Sequence, residues 1–380
     1  MGAISELHPS EFPRTHQVLE QGLKDGVAPG FVVGVLDMRR PDPFLVTARG
    51  QRRVEPSPLP MRPDTIFDIA SVSKVFATAT LAGVLVERGW VSWNTRLSSI
   101  FPDYPSRSIE LEHLLSHTAG FPWWEPFWEK LRAQFAPRSL SEIPVASRQS
   151  AMRKWIMACS PAVSPGERVE YSDVSFLLLG FALEEVTGMP LDRAVRRFLW
   201  EPMGLLDQGR GPYYRRTITS AAQINEDVAA TELSPWHQTV LQGQVHDENC
   251  WAMGGYGGHA GVFARAEDLL RFSKALLDGF LSQHTLTEMW SRVSRPAGCE
   301  RTRGWDSVSA QGSSAGRYFS TSSVGHLGFT GTSLWIDPQA RLAVTLLSNR
   351  VHPTRENIKI RAFRPLLHDA VREDFANLGR

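Results

Sequence analysis

The chain has 380 residues, 41 basic and 40 acidic, with a formal net charge of +1; 42 % are hydrophobic and 21 % charged. This composition excludes a disordered chain, and the even charge balance offers no footprint for nucleic acid or an anionic membrane surface. No uninterrupted apolar run approaches the roughly 20 residues that span a bilayer, and the length suits two domains or one large domain with an insertion.

In chain order, residues 11–25 pattern as a helix, with Phe12, Val18, Leu19 and Leu23 roughly on one face, ended by Pro29-Gly30. Residues 31–38 and 44–50 are two predicted strands joined by the turn-like RRPDP. Residues 66–89 run from a short strand-like piece into a long helix, apolar almost all round and therefore buried, with Gly89 as its stop. The stretch 90–240 carries helical patterns broken by Pro and Trp: a short helix within 111–122, an aromatic-rich 123–135 and a strongly apolar helix over 175–188. A glycine-rich 254–264 precedes a helix over 266–279. Residues 328–338 and 341–350 form a predicted hairpin around Asp337-Pro338, and 355–374 a terminal helix.

The N-terminal MGAISELHPSEFPRTHQ has no basic start followed by an apolar run, so a secretory signal is not visible and a cytoplasmic setting is the expectation. Cys159, Cys250 and Cys299 are odd in number and far apart, which argues against a disulfide framework or a cysteine zinc site. Only six of the basic residues are Lys, which makes the setting of Lys74 informative.

Three motifs carry chemistry. Ser71-Val72-Ser73-Lys74 opens the buried helix. Positions i and i+3 share a face, so the Ser71 hydroxyl and the Lys74 amine can meet, and free N–H groups at a helix start suit a developing oxyanion. Burial is expected to depress the Lys74 pKa and make proton transfer feasible. The bland alternative is a capping serine and a snorkelling lysine. Tyr171-Ser172-Asp173 precedes the apolar helix; a phenol there can move a proton if a cation is near, or it is a turn tyrosine with Asp173 as a cap. Gly325-His326-Leu327-Gly328-Phe329-Thr330-Gly331-Thr332 lets a substrate lie against backbone, or is a loop with a bulge.

In this order and spacing the three motifs resemble the penicillin-recognising serine hydrolases, which include class C β-lactamases, DD-peptidases and related esterases. The phrases IFDIASVSK, LEHLLSHTAGFP, PGERVEYSD and GHLGFTGTSLWIDP resemble that family too, over about residues 15–375. The resemblance implies an α/β (α+β) fold of the β-lactamase/penicillin-binding-protein type: an antiparallel sheet flanked by helices with an inserted helical domain. The implied division is 1–70 with 255–380 as the sheet domain and 71–254 as a mostly helical domain. Ser71 would be the nucleophile, Lys74 its activator, Tyr171 the proton shuttle, and the N–H groups of Ser71 and Phe329 the oxyanion hole. His326-Leu327-Gly328 would stand where the family has K-T-G, placing His326 among the catalytic residues and Gly328 against substrate. Three departures weaken β-lactam or D-Ala-D-Ala recognition: His326 replaces a permanent cation, Leu327 a hydroxyl, and Asp173, where many members carry Asn, would repel an anionic substrate yet steady Lys74.

VHDENCWAMGGYGGHAGVF (245–263), with TEL (231–233), resembles the cytoplasmic N-acetylmuramyl-L-alanine amidases of muropeptide recycling. His246, Asp247, Glu248 and Asn249 form a polar cluster suited to a sugar or peptide, or are a network of caps and turns. Metal-ligand spacing is lacking there, and the implied chemistry needs no metal or organic cofactor. Trp123, Trp124, Phe127 and Trp128 could stack on a sugar or line an acyl pocket, with Trp124 the candidate contact. His113 and His117 are expected to be structural, and Gly312-Ser313-Ser314-Ala315-Gly316 matches a nucleophile-elbow pattern without the strand-then-helix setting it needs. The expectation is an amidase on muramyl-peptide fragments, with a carboxylesterase, a β-lactamase or DD-peptidase, and a non-catalytic sensing module as alternatives. The substrate is a small molecule or muropeptide, with no nucleic acid or membrane partner; the sequence does not fix the oligomeric state.

Overall fold

A computed structural model describes residues 3–207, 210–215 and 225–378. Among these, an eight-stranded sheet uses both ends of the chain, in the spatial order Ile4–Glu6, Phe44–Arg53, Gly30–Asp37, Leu342–Ser348, Ser333–Asp337, Val324–Leu327 and Asp306–Ser307, with Leu59–Pro60 paired off Phe44–Arg53. The pairings are antiparallel with one correction to the expectation: Ile4–Glu6 runs parallel to Phe44–Val46. The helix Pro13–Lys24 and the strand Gly30–Asp37 intervene and act as the crossover that a parallel pair requires.

Gly30–Asp37 is buried along its whole length, which explains its continuous apolar sequence. The period of two sends Phe31, Val33 and Val35 to one core, shared with Phe12 and Leu19 near the first helix and Phe363 and Leu367 of the terminal helix Ile360–Asn377. Phe31 stacks on Phe363 with centroids 4.9 Å apart. Val32 and Leu36 face the other core, with Leu269 and Leu270 of the helix Ala266–Leu277. That second core continues without a break through Phe76, Phe176, Leu177 and Trp200.

The 66–89 segment opens with the expected strand-like piece, but the long helix its pattern predicts is broken into three kinds of turn. Phe67–Asp68 is a strand of a small second sheet with Val262–Ala264 and Tyr213–Tyr214. A 3₁₀ turn follows at Ala70–Val72, then a wide π turn at Lys74–Ala79, then α-helix over Thr80–Glu87. Two hydroxyls reshape the ladder: Thr80 Oγ1 donates to the Val75 carbonyl at 2.6 Å, and Thr78 Oγ1 to the Gly258 carbonyl at 2.7 Å. Apolar as it is, the segment is core.

The predicted hairpin is present as Ser333–Asp337 and Leu342–Ser348, but residues 328–332 are loop. Thr330 Oγ1 donates to the Asp68 carbonyl and Thr332 Oγ1 to the Ile69 carbonyl, at 2.8 and 2.9 Å, and these bonds draw the loop onto the turn before Ser71. The terminal helix starts at Ile360 rather than 355, because Arg350 Nη1 holds the carbonyls of Arg355 and Asn357 at 2.8 and 2.9 Å.

Candidate active site

The 3₁₀ turn sets the central contact. With three residues per turn, side chains at i and i+3 eclipse more closely than in an α-helix, and Lys74 Nζ lies 3.0 Å from Ser71 Oγ. The residue before Ser71, Ala70, has φ 47°, a strained left-handed conformation for a side chain with Cβ. It is held by Asp68, a buried carboxylate that accepts the Ala70 N–H at 2.9 Å and the His246 N–H at 2.7 Å. Asp68 thus ties the Ser71 turn to the 245–249 segment, although burial pushes its own pKa up.

Lys74 is fully buried, and its three protons are all placed: one toward Ser71, one on Asp173 Oδ1 at 2.7 Å, one on the His259 carbonyl at 3.0 Å. Burial alone would lower its pKa, as expected from sequence. The Asp173 charge, helped by Tyr171, outweighs it, and the net direction is upward. Lys74 therefore rests as an ammonium ion. Asp173 is free for this task because its neighbour Ser172 is the cap of the helix Asp173–Thr187, accepting the Ser175 N–H at 3.1 Å. Tyr171 is within side-chain hydrogen-bonding reach of Lys74 and Ser71; burial, the largest influence, pushes its phenol pKa up. Its ring packs on His117, centroids 4.4 Å apart, while His117 Nδ1 accepts the Ser172 N–H at 3.0 Å. His117 is structural, as is His113, whose Nδ1 accepts the Glu110 N–H at 3.1 Å.

Gly328 and Phe329 come to Ser71 through the threonine bonds above. The Gly328 carbonyl accepts Arg364 Nη2 at 2.8 Å and the Gly331 N–H at 3.1 Å. In a trans peptide the following N–H, that of Phe329, points the opposite way. A Cβ on Gly328 would stand 2.0 Å from Thr332 Oγ1 and 2.5 Å from the Ile69 carbonyl, so only glycine fits. A cleft of about 450 Å³ opens over these groups, lined by Ser71, Tyr171, Asp173, Gly328 and Phe329, by Trp123 and Trp124, by His246, Asp247, Glu248 and His259, and by Arg350, Arg355, Arg361 and Arg364.

A profile described as Beta-lactamase matches residues 15–367. The chain belongs to the beta-lactamase family. It is 28 % identical over 327 residues to a protein of Salmonella agona named "Putative D-alanyl-D-alanine carboxypeptidase", covering 78 % of this chain and 72 % of that one. A Salmonella newport protein of the same name is 29 % identical over 333 residues, covering 80 % and 73 %. Similar solved structures include the hydrolase EstCE1, described as having promiscuous acyltransferase activity (TM-score 0.71, 21 % identity, 96 % and 98 % covered), and the D-amino acid amidase of Ochrobactrum anthropi SV3 (TM-score 0.71, 20 %, 98 % and 100 %). A penicillin-binding protein homologue from Pyrococcus abyssi, an octamer, gives a TM-score of 0.68 at 19 % identity over 93 % and 77 %. The chain is a serine hydrolase with the mixed-sheet fold of that family.

Most residues expected at the site of this beta-lactamase-family hydrolase line the cleft: Ser71, Tyr171, Asp173, His246, Glu248, Gly328, Phe329 and Trp124, with Lys74 beneath. Two do not. Asn249, expected to touch substrate, is buried and clamps another segment: its Oδ1 accepts the Trp128 N–H at 3.0 Å and its Nδ2 donates to the Glu125 carbonyl at 2.8 Å. His326 is buried behind Tyr171, ring centroids 6.0 Å apart, with Nδ1 against the Leu327 carbonyl at 2.8 Å. Burial and then the Lys74 charge hold its pKa well below the usual histidine value, so it supplies no cation. Phe127 and Trp128 pack inward, Trp128 on Trp236. Ser314 uses its carbonyl to hold His368 Nδ1 at 2.7 Å and lies outside the cleft.

Sequence reasoning missed Asp68, His259 and the arginines. Asp68 and His259 lie inside phrases already conspicuous in the sequence. His259 Nε2 bonds Asp247 Oδ1 at 2.9 Å. Burial would raise the Asp247 carboxyl, but the facing His259 and the Cys250 N–H bring its pKa down to about 2. The arginines passed for ordinary loop and helix charges among 35 arginines, although Arg355, Arg361 and Arg364 fall within ten residues. Among the described residues no cluster of three or more His, Cys, Asp or Glu side chains is arranged to hold a metal ion.

Proposed function

We propose that the chain is a Ser71-dependent amidase that cleaves the bond between the lactyl group of N-acetylmuramic acid and the first alanine of a peptide stem. The observation that carries the acyl-transfer part is the continuous contact Ser71 Oγ–Lys74 Nζ–Asp173 Oδ1, at 3.0 and 2.7 Å, beside the N–H groups of Ser71 and Phe329. An ammonium cannot take the serine proton as it stands. Lys74 becomes the base by passing one proton to Asp173 along the short contact, then takes the Ser71 proton as Oγ attacks the carbonyl. The oxyanion that forms sits between the two N–H groups. Lys74, now holding the Ser71 proton, passes it on through the hydroxyl of Tyr171, which is within hydrogen-bonding reach of both Ser71 and Lys74, to the departing amine; Asp173 returns its proton to Lys74, and water releases the acyl group by the reverse route.

The muramyl-peptide assignment is supported by the 245–263 resemblance, whose Asp247 and His259 stand in the cleft, and by the open indole of Trp123, 62 % exposed at the rim beside Trp124, a platform for a sugar ring. A carboxylesterase is the second reading, favoured by Leu327 in the lining, where a hydroxyl would otherwise meet substrate. The experiment is mass spectrometry of products and intact protein with a muramyl-peptide, parent against Ser71→Ala. Free peptide from the parent alone supports the amidase. A Ser71 adduct with a phosphonate or ester probe and no released peptide moves the reading to esterase. No adduct and no product removes Ser71 from the chemistry.

A further inference from the structure

The helix Leu111–Leu115 ends in a turn where the Thr118 N–H reaches back to the His113 carbonyl at 2.9 Å and the His117 N–H to the Leu114 carbonyl at 3.4 Å. His117 fills the left-handed position of that turn, with φ 59°. Glycine is the usual occupant, because a Cβ is unfavourable in this region. This chain follows the rule after Thr80–Glu87 and Asp173–Thr187, where Gly89 and Gly188 take the same place with φ 69° and 65°. A side chain kept at such a position against its backbone preference points to a task for that side chain.

The task is written in its contacts. The His117 carbonyl accepts the Glu170 N–H at 2.9 Å, and its Nδ1 accepts the Ser172 N–H at 3.0 Å. Its ring packs on that of Tyr171, centroids 4.4 Å apart, and on that of Phe176 at 5.1 Å. The residues on both sides of Tyr171 are thus bonded to the histidine that backs its ring. His117 is buried, and burial, then the charges of Arg301 and Lys74, hold its pKa well below the usual histidine value. A neutral ring with no proton on Nδ1 is what accepting the Ser172 N–H requires.

From the strained cap and these three contacts we infer that His117 is the positioning residue of Tyr171: it aims the phenol hydroxyl at Lys74, Ser71 and the departing group. His117 does not line the cleft and acts through Tyr171 alone. Proton transfer demands hydrogen-bond geometry at the moment of bond breaking, and a phenol fixed at its ring and at both flanking peptides meets that demand before substrate arrives. The inference rests on Tyr171 as the carrier of the leaving-group proton.

The test separates leaving groups that need a proton from those that do not. 4-Nitrophenyl acetate releases a stable anion; 4-nitrobenzyl acetate, longer by a methylene, releases an alkoxide that leaves only as it is protonated. The kcat/KM for both esters is measured in the parent, Tyr171→Phe, His117→Gly and His117→Asn. Glycine suits the cap but removes ring and acceptor; asparagine also tolerates the left-handed position and sets Oδ1 where Nδ1 stood. Relative to the nitrophenyl ester, the benzyl ester should lose about 10²-fold in Tyr171→Phe and at least about tenfold in His117→Gly, with His117→Asn between His117→Gly and the parent. Circular dichroism checks the fold, and His117→Asn carries the comparison alone should His117→Gly not fold. A ratio that Tyr171→Phe leaves unmoved removes Tyr171 from proton delivery, and the inference falls with that reading. A ratio that Tyr171→Phe moves and the His117 variants do not, including an equal loss on both esters, leaves Tyr171 its role and overturns the inference alone.

Discussion

Two groups of cations lining or lying beneath one cleft are held in opposite ways. At the Ser71 end, the single cation Lys74 has all three protons placed on protein atoms, at 2.7–3.0 Å, and a carboxylate of its own. Against the glycine loop, Arg350, Arg361 and Arg364 crowd together without carboxylate partners among the described residues, and two of them spend their donors on backbone carbonyls. A group that must act in every turnover is held in place before substrate arrives, because preorganisation is where an electrostatic contribution to rate comes from.

The contrast can be broken most severely at Lys74. Lys74→Ala removes the base and leaves Asp173 with an uncompensated charge, and acylation should fall by at least about 10³-fold in a protein that remains folded by circular dichroism. A near-parent rate would show that the tightly held end does no chemistry. Next in size is Gly328→Ala. The added Cβ collides with Thr332 Oγ1 and the Ile69 carbonyl, displacing the Phe329 N–H, and kcat should drop about 10²- to 10³-fold. A variant with parent kcat would mean that this peptide does not serve the oxyanion.

Asp173→Asn removes the acceptor of the Lys74 proton, so kcat should fall, and the activity that remains carries a pH signature with a definite sign. Asp173 is what turns the Lys74 pKa upward against burial; without its charge, burial prevails and the pKa moves down. The free amine then exists at lower pH, and the acid limb of the kcat/KM profile should move to lower pH than in the parent. A shift to higher pH would contradict the charge pairing drawn here. The smallest effect belongs to Ser314→Ala: outside the cleft, with only its carbonyl engaged, it should leave activity within about twofold.

Much of the Ser71 end was legible because it is local. The serine, the lysine and the helix that carries them are within a few residues, and Tyr171 and Asp173 flank one cap. The arginine end was not, because Arg350, Arg361 and Arg364 acquire meaning only when the last strand and the last helix meet over the glycine loop. The sign of the Lys74 shift was missed for a related reason: burial is readable from an apolar helix, but the partner that overrides it lies 99 residues away. Asn249 looked like a ligand contact because it shares a polar run with His246 and Glu248; its position inside the five-residue helix Glu248–Ala252 turns it toward the 125–128 segment instead.

The two threonine bonds that draw the glycine loop onto the Ser71 turn join residues 262 and 263 positions apart. Contacts of such long range close late, since the intervening chain must first be ordered. As the polypeptide emerges from the ribosome, Ser71, Lys74 and Tyr171 are made long before the oxyanion donor of Phe329. A growing chain therefore gains hydrolytic competence only once the loop through Thr332 has been made and docked, and a product ended before that loop carries a nucleophile with nothing to steady its intermediate.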